Sequence, residues 1–268
     1  MTTPAPPEPP ALPALRALPT RGFPRDFRIC GAWINSWKVM LCVGLWIGSL
    51  ASAALGQQSG LSPLRVGLSA ASCALAGLAG ARIYHLLSHA RRYMALRSVR
   101  ALWDGPQGGC SLFGALLAFV PASVLAARSA GLPQAMLWDH LAFGVLAGGF
   151  WVRSGCAFNG CCGGRESHGA WAVRLHDVRG VRKPRVPVQY LEMAWWLAGT
   201  AVFLAQWGAG WPAGSYALGV LGWYGVGRTA LEPLREHQDR VFGGLPIDHV
   251  VAVLLATCAA AGLVLINR

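Results

Sequence analysis

The chain is divided by hydropathy. Apolar segments recur at roughly 37–56, 64–87, 111–128, 137–152, 188–206, 213–227 and 246–266, joined by polar, Gly-rich or Arg-rich connections. Each is about the length needed to cross a hydrocarbon core of ~30 Å with some tilt, the fourth and sixth being the shortest. Lipid offers an unpaired backbone N–H or C=O no partner, so such segments must be helices. No stretch alternates polar and apolar residues as a barrel strand does. The pattern predicts an all-α integral membrane protein with about seven transmembrane helices. Small residues inside the segments, among them Gly77, Gly80, Gly144, Gly148 and Gly149, fit close helix packing in lipid.

Ahead of the first span the chain opens MTTPAPPEPPALPALRALP, without the continuous apolar run of a signal peptide. Residues 1–30 are therefore expected to form a disordered Pro-rich tail, and 31–268 one polytopic membrane domain. Composition agrees: of 268 residues 54% are hydrophobic and only 13% charged, where a soluble domain carries about a quarter. The charges are lopsided, Lys+Arg 23 against Asp+Glu 11, for a net +12. Nucleic acid is excluded as the partner, because these arginines lie between apolar blocks and not on a soluble, charge-rich face. The lipid bilayer, and anionic lipid in particular, suits them better.

Three connections hold most of the charge. They carry Arg91, Arg92, Arg97 and Arg100; then Arg153, Arg165, Arg174, Arg179, Arg182, Lys183 and Arg185; then Arg228, Arg235 and Arg240. Seven spans place all three on one side, opposite Arg65 and Arg128, and positive-inside counting makes the rich side cytoplasmic.

The most informative stretch runs Arg153-Ser154-Gly155-Cys156-Ala157-Phe158-Asn159-Gly160-Cys161-Cys162-Gly163-Gly164-Arg165. It reads as a Gly-rich turn leaving the fourth span with an Arg at each end. Exposed backbone N–H groups and guanidinium forks suit phosphate oxygens; interfacial arginines that merely anchor a helix are the plainer alternative. Cys42, Cys73 and Cys258 lie inside apolar runs and read as small buried hydrophobes. Cys156, Cys161 and Cys162 have C-x4-C-C spacing and not the paired C-x-x-C of structural zinc sites. Packing is therefore favoured, with no metal and no cofactor expected; thiol or metal chemistry, completed by His168 or Cys110, is the rival. Asp139 and His140 open the fourth helix and read as a structural polar pair.

This stretch resembles the signature G-R-x-G-N-F-x-N-G-E-x-x-G-R of phosphatidylglycerol–prolipoprotein diacylglyceryl transferases, with Arg153, Gly155, Asn159, Gly160, Gly164 and Arg165 on the pattern without a gap. Tyr224-Gly225-Val226-Gly227-Arg228, Glu232 and Arg235-Glu236 resemble the family's Y-G-x-x-R-x-x-x-E-x-x-R-E, and Pro187-Val188-Gln189 with Glu192 its H-P-x-Q-x-x-E. Weaker echoes are Ile34-Asn35-Ser36-Trp37, Gly80-Ala81-Arg82 and Asp139. The matches keep the family's order, and seven spans is the family's architecture. There are departures. Cys156 and Cys161 stand at the family's Asn and Glu, Val186 at the His of the third motif, and His85 near its Tyr. Phe113 stands where the family has the His of a His-Gly-Gly element, and it can neither accept a proton nor donate a hydrogen bond.

The resemblance implies a bacterial inner-membrane, multi-pass transferase of lipoprotein biosynthesis. Its substrates would be phosphatidylglycerol and prolipoprotein signal peptides, and its product a thioether on the lipobox cysteine. By position Arg153 and Arg228 are candidates for the phosphate. Asn159, Gly160, Arg165, Gln189, Tyr224 and Arg235 complete the substrate-binding candidates. Glu232, one turn after Arg228, would orient it. His85, ionisable near membrane depth, is the candidate base. The resemblance also places the signature loop on the outer face, against the charge count, and it is followed here.

Overall fold

A computed structural model describes residues 25–30, 32–95, 112–178, 180–236 and 247–268. The proline-rich segment before residue 25, Arg97, Arg100, Cys110, Arg179 and Arg240 lie outside the described residues. The described residues open with a two-stranded hairpin, β1 (Asp26–Ile29) and β2 (Ala32–Asn35), antiparallel with Asp26 opposite Asn35. Strand β1 lies within the segment whose composition reads as tail. Then come α1 (Ser36–Gln58), α2 (Pro63–Ser88), the short α3 (Ala90–Ala95), α4 (Leu112–Ala130) and α5 (Gln134–Asn159). A second hairpin, β3 (Val173–His176) and β4 (Arg182–Arg185), precedes α6 (Val188–Gln206), α7 (Ser215–Leu231), a 3-10 turn at Glu232–Leu234, and α8 (Ile247–Ile266).

Seven of these helices, all but α3, are the expected spans. Five are long and apolar enough to cross a membrane on composition alone: α1, α2, α4, α5 and α8. The other two, α6 and α7, are shorter, at 19 and 17 residues. They carry the polar residues of the site, which lowers their hydropathy.

The distribution of side chains is that of a membrane protein. Large apolar residues such as Trp46, Leu50, Leu68, Leu75, Leu117 and Leu125 are exposed, while Ser52, Ser69, Ser123, Asp139, His140, Gln189, Glu192 and Glu232 are buried. Lipid solvates the former, and the latter find partners only inside the bundle. Cys42 and Cys258 share the outward face, and only Cys73 of that trio is buried. An apolar run marks lipid contact as readily as burial, which is why the sequence misplaced them.

Small residues set the helix pairing. Helices α1 and α5 cross at Gly48 and Gly144, where a Cβ on Gly48 would stand 2.6 Å from the Gly144 carbonyl oxygen. Helices α2 and α4 meet at Gly80 and Gly114, each with the other's carbonyl inside the volume a Cβ would need. Such contact holds helices together where no hydrophobic force acts between them. At the opposite end from the site, Asp139 caps α7: its carboxylate accepts from Gly214 N at 2.7 Å and Ala217 N at 2.8 Å. His140 is held by Met136 O at 2.6 Å and Ser59 Oγ at 2.9 Å. The pair is structural.

Candidate functional site

The first half of the signature is helix and not loop. Helix α5 runs through Arg153 to Asn159, and the chain turns only at Gly160, whose φ of 73° ends the helix in the left-handed region. A Cβ at Gly160 would lie 2.7 Å from the Asp177 backbone, so glycine serves both the turn and the hairpin packed against it. The Asn35 Nδ2 donates to Asn159 Oδ1 at 2.9 Å while Asn35 Oδ1 caps α1 through Trp37 N, tying the start of α1 to the end of α5.

After the turn the chain runs beside the segment following α7. Arg165 N donates to Leu234 O at 2.8 Å, Glu236 N to Gly163 O at 3.2 Å, and Val186 N to Arg165 O at 3.1 Å. The Arg165 side chain is exposed. These backbone bonds bring together three motifs spread over more than eighty residues of sequence.

Glu192, buried near the start of α6, is the centre. Its Oε2 lies 3.2 Å from Arg153 Nε, its Oε1 lies 3.6 Å from Arg228 Nη1, and Arg235 Nη2 donates to the same Oε1. Glu232 backs two of these arginines, at 3.1 Å from Arg228 Nη2 and 3.7 Å from Arg235 Nε. Asp248, at the start of α8, accepts from Arg228 Nη2. Burial alone would lower the pKa of Arg235; the Glu192 carboxylate more than restores its charge. The network is not saturated. Arg228 Nη1 and Arg235 Nε are buried and make no hydrogen bond among the described residues.

Around this centre, Gln189 Nε2 donates to Cys161 O at 3.0 Å while its buried Oε1 has no hydrogen-bond partner among the described residues. Tyr224 lies within electrostatic reach of Arg228 and Arg153, with its ring against Trp196. Cys156, Cys161 and Cys162 gather beside the arginines, their Sγ atoms all within 4.8 Å of one another. The Cys162 thiol is held well below the usual thiol range, first by hydrogen bonds from Cys156 and Cys161, then by the charges of Arg153 and Arg235.

The signature, the α6 motif and the α7 motif converge; no part of that convergence is visible in any one of them. Residues 24–265 match the family model described as prolipoprotein diacylglyceryl transferase.

The chain belongs to that family.

Among its relatives is the phosphatidylglycerol–prolipoprotein diacylglyceryl transferase of Corynebacterium diphtheriae, 25% identical over 256 residues that make up 88% of this chain and 89% of the relative. The protein of the same name from Brucella ovis is 33% identical over 186 residues, 64% of this chain and 62% of that one.

Within a diacylglyceryl transferase fold, the remaining candidates fall in a second place. His85, near the end of α2, stacks on His89 with ring centroids 4.4 Å apart and meets Tyr93 edge-on at 6.0 Å. Phe113 packs near Tyr84, at 6.4 Å between centroids. Asp248 and Arg185 also belong to the ion-pair system at this side of the bundle. Arg185 is buried and donates to Glu236 and to Gly164 O, at 3.3 Å for the latter, with Asp177 3.9 Å away. No motif marks either residue: Asp248 meets Arg228 where the start of α8 lies beside α7, and Arg185 gains its partners where the hairpin pairs with the segment after α7.

Proposed function

We propose that this protein transfers the diacylglyceryl group of phosphatidylglycerol to the lipobox cysteine of prolipoprotein signal peptides, at the bacterial inner membrane. The observation that carries the reading is the convergence of Arg153, Arg228 and Arg235 on Glu192, with buried guanidinium nitrogens left without hydrogen bonds. Those nitrogens stand at ion-pair distance from Glu192 and Glu232 without a hydrogen bond; a phosphodiester would supply that bond, and a planar fork binds its oxygens in pairs.

The chemistry follows from that placement. The acceptor sulfur attacks the glyceryl carbon that bears the phosphate, the C–S bond forms, and the C–O bond breaks. Glycerol phosphate leaves with the bonding electron pair, and its growing negative charge is met by arginines already fixed in position. Glu232 orients Arg228, and Tyr224 and Gln189 supply further polar contacts. Asn159 and Gly160 hold the turn, and Arg165 extends the positive field at the exposed rim. The decisive assay is transfer of labelled diacylglyceryl from phosphatidylglycerol to a lipobox peptide in detergent. Product on a Cys peptide and none on its Ser counterpart is expected; no product with any anionic phospholipid would defeat the reading.

In this reading the site faces the outer side of the membrane. Single cysteines placed in the 166–185 segment should react with an impermeant maleimide in intact spheroplasts. Reaction only after lysis reverses the orientation.

A further inference from the structure

Thiol alkylation needs an ionised sulfur, and the carboxylates of the arginine cluster are poorly placed to ionise it. Glu192, Glu232 and Asp248 are each engaged by guanidinium groups. Phe113 has no proton-accepting atom. The three thiols beside the cluster offer another route.

Local backbone geometry builds this group of sulfurs. Cys156 lies in the last turn of α5, and the left-handed Gly160 folds the chain back so that Cys161 N donates to Cys156 O at 3.1 Å. Cys162 then adopts a φ of 56°, in the left-handed region that a side-chain-bearing residue enters only at a cost. Glycine would serve that turn better; what Cys162 adds is a third sulfur. The Sγ atoms lie within 4.8 Å of one another. A tetrahedral zinc with Zn–S bonds of ~2.3 Å needs sulfurs about 3.8 Å apart, within reach of side-chain rotation. Cys156 is buried, whereas Cys162 is exposed, so the group opens on one side. Among the described residues no fourth His, Cys, Asp or Glu joins it. Three protein ligands with one open position is the pattern of a catalytic zinc and not of a structural one. Zinc with three thiolates carries a single negative charge, and Arg153 and Arg235 lie close enough to offset it.

We propose that Cys156, Cys161 and Cys162 bind a zinc ion whose fourth position takes the acceptor cysteine of the prolipoprotein as a thiolate. This rests on the transferase reading given above and extends it. On coordination the acceptor thiol gives its proton to solvent, since a metal-bound thiol is deprotonated outright. Its sulfur then attacks the glyceryl carbon, while the electrons of the broken C–O bond leave with glycerol phosphate on the arginines. Zinc stays divalent throughout, and no oxidant or reductant is consumed. The thioether product is a weak ligand and departs.

The full chain, purified in detergent, should contain about one zinc per molecule by elemental analysis. Replacing all three cysteines (Cys156→Ser, Cys161→Ser, Cys162→Ser) should remove the metal and lower transfer about a hundredfold or more, the scale of a lost proton-transfer catalyst. Because that variant also risks misfolding, the wild-type protein is stripped with a chelator and reloaded with cobalt. The cobalt form should show a thiolate charge-transfer band that shifts on adding a lipobox Cys peptide and not its Ser counterpart. Absence of bound metal, metal retained in the triple variant, or a band indifferent to the Cys peptide each overturns the proposal. Transfer that persists in metal-free protein overturns it while leaving the transferase reading intact. A peptide-responsive cobalt band in protein that transfers nothing from any phospholipid would instead defeat the transferase reading.

Discussion

Arg153, Arg228 and Arg235 share buried carboxylates where α5 and α7 end and α6 begins, whereas Arg174, Arg182 and Lys183 stand on exposed positions of the β3–β4 hairpin. As sequence the two sets are alike: basic residues in polar segments between apolar ones. In the fold they obey different physics. A buried guanidinium has lost its water and must be matched by carboxylate or ligand. An exposed one is screened by water and salt and contributes little to stability. A charge count that sums both sets confuses two roles.

The comparison is broken most sharply at Glu192. Glu192→Ala leaves three arginines with one fewer carboxylate in a buried site, a change that typically costs about 3–5 kcal/mol. The variant should unfold in detergent at a clearly lower temperature than wild type and lose transfer. Wild-type thermal stability would mean that the network is not what ties α5, α6 and α7 together.

The next effect is on the arginines themselves. Lys at 153 or 228 keeps the charge and loses the fork. Loss of one charge-assisted hydrogen bond, about 1.5–3 kcal/mol, predicts a fall in transfer of about tenfold or more. Arg174→Ala, on the hairpin, should stay within about twofold of wild type. Equal damage from Arg174→Ala, or full turnover in both Lys variants, would remove the distinction between the two regions.

How far this was legible in the sequence differs by level. The seven helices could be read, because hydropathy and span length are set by the bilayer itself. The apolar run ends at 152, yet α5 continues to Asn159, since Arg153, Ser154 and Asn159 are helix residues that a hydropathy window counts as polar loop. Arg153, Arg228 and Glu232 were found through their motifs. Asp248 and Arg185 were not, because each finds its partner across a long sequence separation. The closeness of the three cysteines is not visible in their C-x4-C-C spacing. The left-handed turns at Gly160 and Cys162, which bring the sulfurs together, leave no mark on spacing. The two hairpins were missed because strands of four residues carry too little periodicity to stand out.

The smallest effect belongs to the hairpin's own ion pair. Lys183 donates to Glu166, beside which an isolated bridge pairs Glu166 with Arg185. The hydrogen bond from Lys183 holds the Glu166 carboxyl below its ordinary range, although the side chain is exposed. A carboxylate whose pKa is lower in the folded state stabilises that state at pH values above the unfolded value, ~4.3 for Glu. The contribution is lost as pH falls from there through the lower, folded value. Glu166→Gln should therefore speed amide exchange in Val173–His176 and Arg182–Arg185 slightly at neutral pH, relative to intrinsic rates. The difference from wild type should shrink with added salt and vanish once the pH is well below ~4. Transfer should remain within about twofold of wild type at neutral pH, because this pair lies outside the arginine network. An exchange difference that persists in acid would show that Glu166 supports the hairpin by packing and not by charge. A large loss of transfer would show that the exposed region is coupled to the buried one after all.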